Sequence, residues 1–393
     1  MKIALGMMIR NFISPEPVVT FLENARKYEH EISKVIVASF GKIEESAARE
    51  IEKTTGVSVT TVKINQATYV QKAFAEMGVS EKTSRKLLFC DVVNHAGLVP
   101  YGYNRNNVLI QAVLEEADIL FYIDDDVAPY VLKKKSPEGK RIGEDNIVKE
   151  EIDLFGRHLQ EIEKGARFTT SDYSGFNILP YAYFDGMDEL LIGLQKENML
   201  EFWERSREHQ CMFLQHPYEP IPKRTNKILG GNLAIDIRDR KKILPFFSPV
   251  YEVSGTTYLA RGEDTLIASL AEEAKLNCVD IDMYIFHNTY GDYPEVPSLK
   301  NKKSTQERFF YACTGWIGRN PFMNYLHDNA TDRVRWIQYD NLVMGTHKLI
   351  KYTGNEMFSI LPEAHRSAWD SLPMMIEDHK ETMDAWGEFL SKI

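Results

Sequence analysis

The run Ile119-Leu120-Phe121-Tyr122-Ile123 ends directly in Asp124-Asp125-Asp126, and no other stretch restricts the fold as tightly. Consecutive β-branched and aromatic residues suit a strand buried on both faces, the environment of a parallel sheet covered by helices. Open α/β sheets bind ligands beyond the carboxyl ends of their strands. Carboxylates there are hard oxygen ligands, suited to Mg²⁺ or Mn²⁺ shared with a substrate's phosphates. The same triplet also fits an acidic turn in which one Asp caps the next helix.

The flanking pattern decides the fold class. Residues 3–9, 35–38 and 57–64 read as strands, with helices over 17–28 and 39–53 between them. Strands alternating with helices at this spacing mean a parallel, doubly wound sheet. Helices are expected at 69–77, 82–93 and 106–116, the last delivering the chain into the strand at 119. Lys133–Arg141 is a basic loop punctuated by Pro137 and Gly139, and Asn146–Lys164 an amphipathic helix with Ile152, Phe155, Leu159 and Ile162 on one side. Further on, Ile228–Ile235 reads as a strand interrupted by Gly230-Gly231, and paired glycines in a strand mark close approach to the backbone. Thr265–Lys275 is a helix opened by Glu263-Asp264, and Cys278–Phe286 a strand that delivers His287. Mostly helical sequence follows to Ile393.

At 393 residues the chain exceeds a usual single core, so one large domain with additions or two domains are expected. A formal net charge of −10 argues against a general nucleic-acid binder, which would show a basic face. Cys90, Cys211, Cys278 and Cys313 lack paired spacing for zinc or a disulfide framework, which suits buried thiols in a reducing cytosol. The opening residues do not read as a signal peptide, and no apolar run has the length of a membrane span. A soluble, cytoplasmic protein without an integral membrane segment is therefore expected.

Five features stand in order: Tyr103-Asn104-Arg105-Asn106, Asp124-Asp125-Asp126, Gly230-Gly231-Asn232, Glu263-Asp264 and His287. This order resembles the GT-A fold of nucleotide-sugar-dependent glycosyltransferases, family 2 in particular. Those enzymes carry an Asp-x-Asp motif, a glycine-rich acceptor-side loop, an x-Glu-Asp motif and a metal-binding His. The resemblance covers residues 1–292. It departs at Ala38-Ser39-Phe40-Gly41, where an acidic turn is usual. It implies a doubly wound mixed sheet over 1–295, with a donor half at about 1–130 and an acceptor half at about 165–295, followed by a helical extension over 296–393.

The resemblance also implies roles. Asp126 and His287 would hold Mn²⁺ or Mg²⁺ with help from Asp124, and Asp124 or Asp125 would also touch the donor. Arg10, Asn11, Arg105 and Asn106 are candidates for the nucleotide, and Gly230, Gly231 and Asn232 for the sugar. Asp264, beside Glu263, would act as general base toward a hydroxyl acceptor, a glycan or a small polar molecule, with inversion at the anomeric carbon. Lys300, Lys302 and Lys303 are candidates for a lid over the diphosphate. The aromatics of 168–222 are candidates for sugar stacking. Retention of configuration, a nucleotidyltransferase and a non-catalytic nucleotide-sugar-binding homologue are the alternatives.

Overall fold

The computed structural model describes residues 1–66, 68–90, 100–134, 147–176, 178–180, 182–195, 211–212, 220–291 and 293–393. Its strands are β1 (Ile3–Ile9), β2 (Lys34–Ser39), β3 (Ser58–Lys63), β4 (Ile119–Asp124), β5 (Val127–Ala128), β6 (Tyr130–Lys134), β7 (Ile147–Glu151) and β8 (Phe168–Thr170). They continue with β9 (Tyr173–Phe176), β10 (Cys211–Met212), β11 (Lys223–Arg224), β12 (Asn232–Asp236), β13 (Val250–Val253), β14 (Thr256–Leu259), β15 (Cys278–Asp280) and β16 (Ile285–His287).

Eight of them form one mixed sheet in the order β11-β15-β8-β12-β4-β1-β2-β3. The β4-β1-β2-β3 half is parallel, and β12 runs antiparallel to both β4 and β8. This is the doubly wound mixed sheet with a helical C-terminal stretch that the sequence leads one to expect. Strand alternation sorts the core into two layers. Ala4, Met8, Leu120, Tyr122, Leu233 and Ile235 pack on the helix Tyr101–Leu114 and on Trp386 and Phe389 near the C-terminus. Leu5, Met7, Phe121 and Ile123 pack on the opposite face, against Phe21 and Ile51 from other helices and Phe155 just before a third. At ~1.5–3 kcal/mol for each fully buried large side chain, β4 is fixed from both sides.

A smaller sheet, β10-β9-β16-β5, stands beside the end of β4. A third core joins the helices Lys303–Leu326 and Asp332–Thr353 to the hairpin β13–β14 and to the helix Glu263–Glu273. The last helix, Leu372–Leu390, returns to the main sheet, where Trp386 Nε1 donates to the Ile243 carbonyl at 2.8 Å.

Several local expectations are corrected. Residues 146–164 are not one helix: β7 pairs antiparallel with β6, and the helix spans Gly156–Glu163. Asp153 starts it by accepting the N–H groups of Phe155 (3.2 Å) and Gly156 (2.9 Å). Residues 278–286 are two strands in different sheets. Between them Asp282 and Tyr284 have positive φ, and Ser171 Oγ accepts from the N–H groups of Met283 and Tyr284, which ends the ladder. Gly230 and Gly231 form the turn before β12 and are not inside a strand. The helix expected from 106 begins at Tyr101, and the one expected from 39 begins at Glu45. The expected loop at 133–141 lies outside the described residues beyond Lys134, as do the aromatics Tyr181, Trp203, Phe213 and Tyr218.

Candidate active site

The acidic triplet sits where β4 stops. Asp124 is the last residue of that strand, Asp125 and Asp126 make a turn, and β5 leaves at once. β5 pairs antiparallel with β16, setting Val127 opposite His287. Asn288 N–H also donates to the Asp126 carbonyl at 2.8 Å. Backbone pairing therefore brings His287 to Asp126, and His287 Nε2 lies 3.0 Å from Asp126 Oδ1. Burial works to raise the Asp126 carboxyl, but the His287 imidazole and the Arg308 guanidinium outweigh it and hold it down at about 2. Although Asp125 is exposed at the turn, lost hydration and the carboxylates of Asp126 and Asp124 push it up to about 6.

A second group forms around Arg105, which is 2% exposed. Its Nε donates to Glu263 Oε1 at 2.8 Å, its Nη1 to the Gly230 carbonyl at 2.8 Å and its Nη2 to Asp124 Oδ1 at 3.3 Å. Despite burial, Asp124 and Glu263 hold the guanidinium firmly protonated. Asp124 is itself raised by burial, which the Arg105 charge opposes. Arg105 thus ties three of the expected motifs together: the Asp triplet, the glycine turn and the Glu-Asp helix start.

The glycine turn closes the gap between these groups. A Cβ on Gly230 would collide with the Arg105 guanidinium, and one on Gly231 would stand 2.6 Å from Asp124 Oδ2 and 2.9 Å from the Tyr173 hydroxyl. Only glycine lets the backbone pass this close. Gly230 N–H donates to Asp264 Oδ2 at 3.2 Å, and Thr265 N–H donates to Asp264 Oδ1 at 2.8 Å. Gly231 N–H donates to the Tyr173 hydroxyl at 3.0 Å. The Tyr173 ring lies 4.6 Å from the His287 ring, centroid to centroid. Burial raises the Tyr173 phenol well above its usual range, and the charges of Asp124, Asp264 and Asp126 add to this. Tyr173 is therefore within electrostatic reach of all three carboxylates.

Not every expected residue is free to meet a ligand. Asn106 is buried, its amide clamped on Phe246: Nδ2 donates to the carbonyl at 2.8 Å and Oδ1 accepts from the N–H at 2.7 Å. Asn232 is 1% exposed, and its Oδ1 lies 3.0 Å from His158 Nε2, whose Nδ1 is 2.8 Å from Thr169 Oγ1. Arg10 and Asn11 are exposed just past the end of β1, on the edge where Met8 pairs with Asp124. Arg10 lies over the Phe40 ring at 5.9 Å, and Asn11 Oδ1 accepts from Lys42 N–H at 2.9 Å. Lys302 pairs with Glu295 at 3.0 Å, Lys303 with Glu307 at 3.9 Å, and Lys300 lies over Tyr352 at 5.8 Å.

Sequence reasoning missed Arg308. Its Nη2 lies 3.4 Å from Asp126 Oδ2, and its guanidinium lies over the Tyr290 ring at 5.8 Å. No spacing signal points to a residue so distant in the chain. It also missed Arg319, whose Nη1 donates to Thr265 Oγ1 at 3.0 Å at the base of the Glu-Asp turn.

Among the described residues no three His, Cys, Asp or Glu side chains gather into a metal cage, and no helix is long and apolar enough to cross a membrane. The pair Asp126 and His287 supplies one carboxylate oxygen and one imidazole nitrogen, a donor set that fits Mn²⁺ or Mg²⁺ completed by phosphate oxygens and water.

No family model matches the chain, and no curated protein matches it. Among solved structures, it is similar to glucosyl-3-phosphoglycerate synthase from Mycobacterium tuberculosis in complex with Mn²⁺, UDP and glucosyl-3-phosphoglycerate. The identity is 11%, over 81% of this chain and 79% of that one, with a TM-score of 0.38. It is similar to a mannosyltransferase from Pyrobaculum calidifontis in complex with GDP-Man and Mn²⁺, at 9% identity over 100% and 85% of the two chains and a TM-score of 0.38. It is also similar to TarS 1–349 from S. aureus in complex with UDP-GlcNAc, at 11% identity over 97% and 92% and a TM-score of 0.35.

Proposed function

We propose that this chain is a metal-dependent glycosyltransferase of GT-A type that moves a sugar from a nucleoside-diphosphate sugar to a hydroxyl acceptor. The observation that carries this reading is the 3.0 Å approach of His287 to Asp126, made by two distant strands at the carboxyl edge of a doubly wound sheet. Asp126 and His287 would hold Mn²⁺ or Mg²⁺, with Asp124 beside them, and such a cation would supply positive charge against the leaving diphosphate.

The chain's own groups do the rest. Arg10 and Asn11, on the open edge past β1, face the nucleotide. The Gly230-Gly231 turn, packed tightly against Arg105, Asp124 and Tyr173, sets the backbone surface on which the sugar lies beside Asp124 and Asp264. Asp264 takes the acceptor hydroxyl's proton as that oxygen bonds to the anomeric carbon and the bond from that carbon to the diphosphate oxygen breaks. Its carboxylate is aimed by the N–H groups of Gly230 and Thr265, and Arg105 locks that turn to Glu263. This arrangement favours inversion. Residues 1–295 form the catalytic unit, and 296–393 buttress it and bring Arg308 to Asp126.

Incubation with Mn²⁺ and a panel of nucleotide sugars tests the reading. Release of a nucleoside diphosphate with glycosylated product is expected, and an α or β product from a known donor reports inversion or retention. Release of pyrophosphate would instead identify a nucleotidyltransferase, and binding without release a non-catalytic homologue.

A further inference from the structure

Both oxygens of Asp126 are taken. His287 Nε2 stands 3.0 Å from Oδ1, and Arg308 Nη2 stands 3.4 Å from Oδ2. Arg308 comes from the helix Lys303–Leu326, 182 residues along the chain from Asp126. Its side chain is 35% exposed. Its Nε is buried and, among the described residues, has no hydrogen-bond partner. A buried N–H left unpaired is costly, and a guanidinium satisfies its donors best on a planar carboxylate or a phosphate. The contact at 3.4 Å is one long hydrogen bond, short of the bidentate pair this fork can make.

A divalent cation that takes Asp126 must either displace Arg308 from Oδ2 or settle beside an uncompensated positive charge. A nucleoside diphosphate removes the conflict, since its oxygens give the released guanidinium an anionic partner. We infer that Arg308 is an exchangeable counter-ion. It holds Asp126 while the nucleotide is away and passes to the diphosphate when the cation arrives. Cation and nucleoside diphosphate then bind cooperatively, each raising the affinity for the other by the same factor. The inference rests on reading this site as a nucleotide-sugar site and concerns how that site fills.

Mn²⁺ binding, followed by the loss of the free-ion electron paramagnetic resonance signal, tests it without turnover. The titration is run on the parent, R308Q and R308K, alone and with UDP or GDP as the probe. In the parent, the better of the two diphosphates should tighten Mn²⁺ binding about fivefold or more. R308Q should bind Mn²⁺ more tightly than the parent when no nucleotide is present, and should lose most of the enhancement. R308K, which keeps the charge and loses the fork, should fall between them. If R308Q shows the parent's Mn²⁺ affinity and the parent's enhancement, Arg308 is a fixed partner of Asp126 and the inference fails alone. If the parent binds neither Mn²⁺ nor either diphosphate, the reading of the site fails and takes the inference with it.

Discussion

Replacing Arg105 with Gln should damage the fold before it damages any ligand contact. The guanidinium stands 2.8 Å from Glu263 and 3.3 Å from Asp124, with side-chain exposures of 3% for Arg105 and 6% for Glu263. At an effective dielectric near 20, a unit pair about 2.8 Å apart attracts with roughly 6 kcal/mol before desolvation is charged against it. What R105Q leaves behind matters more: Glu263 stays buried without its cation, and breaking a buried pair in this way costs about 3–5 kcal/mol. The lost bond to the Gly230 carbonyl adds ~1 kcal/mol. Urea unfolding followed by circular dichroism should therefore show R105Q less stable than the parent by about 4 kcal/mol. Adding E263Q should return a large part of that loss, because the stranded charge is gone. The reasoning is refuted if R105Q unfolds within about 1 kcal/mol of the parent while nucleotide binding collapses. Arg105 would then be a donor ligand and not the tie between three motifs.

Other outcomes follow from the same geometry. D264N should retain donor binding while transfer falls by about 10²–10⁴, measured as product formed per enzyme, and a parent-like rate would remove Asp264 as base. G231A should lose both donor binding and transfer, since its Cβ would stand 2.6 Å from Asp124 Oδ2, and a variant with parental binding of the nucleotide sugar would contradict the close-approach reading. Burial lowers His158 to about 4, against a usual value of 6.5. Between those values the unfolded chain binds a proton that the folded one refuses, so stability is full above about pH 6.5 and falls as pH drops toward about 4. That loss amounts to about 3 kcal/mol at about 1.4 kcal/mol per unit. The urea midpoint of H158Q should accordingly fall less on acidification than the parent's, and equal falls would refute the assignment.

The parts of the site legible in the sequence were those written in contiguous chemistry. An unbroken apolar run ending in Asp124-Asp125-Asp126 needs only burial and strand polarity to place its carboxylates at the sheet edge. Glu263 and Asp264 likewise announce a helix start, and they occupy the first turn of Glu263–Glu273. Less legible was whatever depended on partners from elsewhere. Asn106 reads as a ligand because the stretch Tyr103–Asn106 resembles one that contacts the donor, yet its amide serves the Phe246 backbone. Apolar spacing over 146–164 suggested one helix, and nothing local revealed that 147–151 would find β6 as a strand partner. The run 278–286 hid a break made by the Ser171 hydroxyl, more than a hundred residues upstream. Arg308 was invisible for the same reason: only the folded helix Lys303–Leu326 brings it to Asp126.

The central claim is that Asp126 and His287 grip the same cation, and a Mn²⁺ titration of H287A and D126N beside the parent, with a nucleoside diphosphate present, tests it most directly. Both variants should bind Mn²⁺ at least about tenfold more weakly than the parent while keeping the parent's fold by circular dichroism. Parental Mn²⁺ affinity in either variant would contradict the account, because that side chain would then not be a ligand.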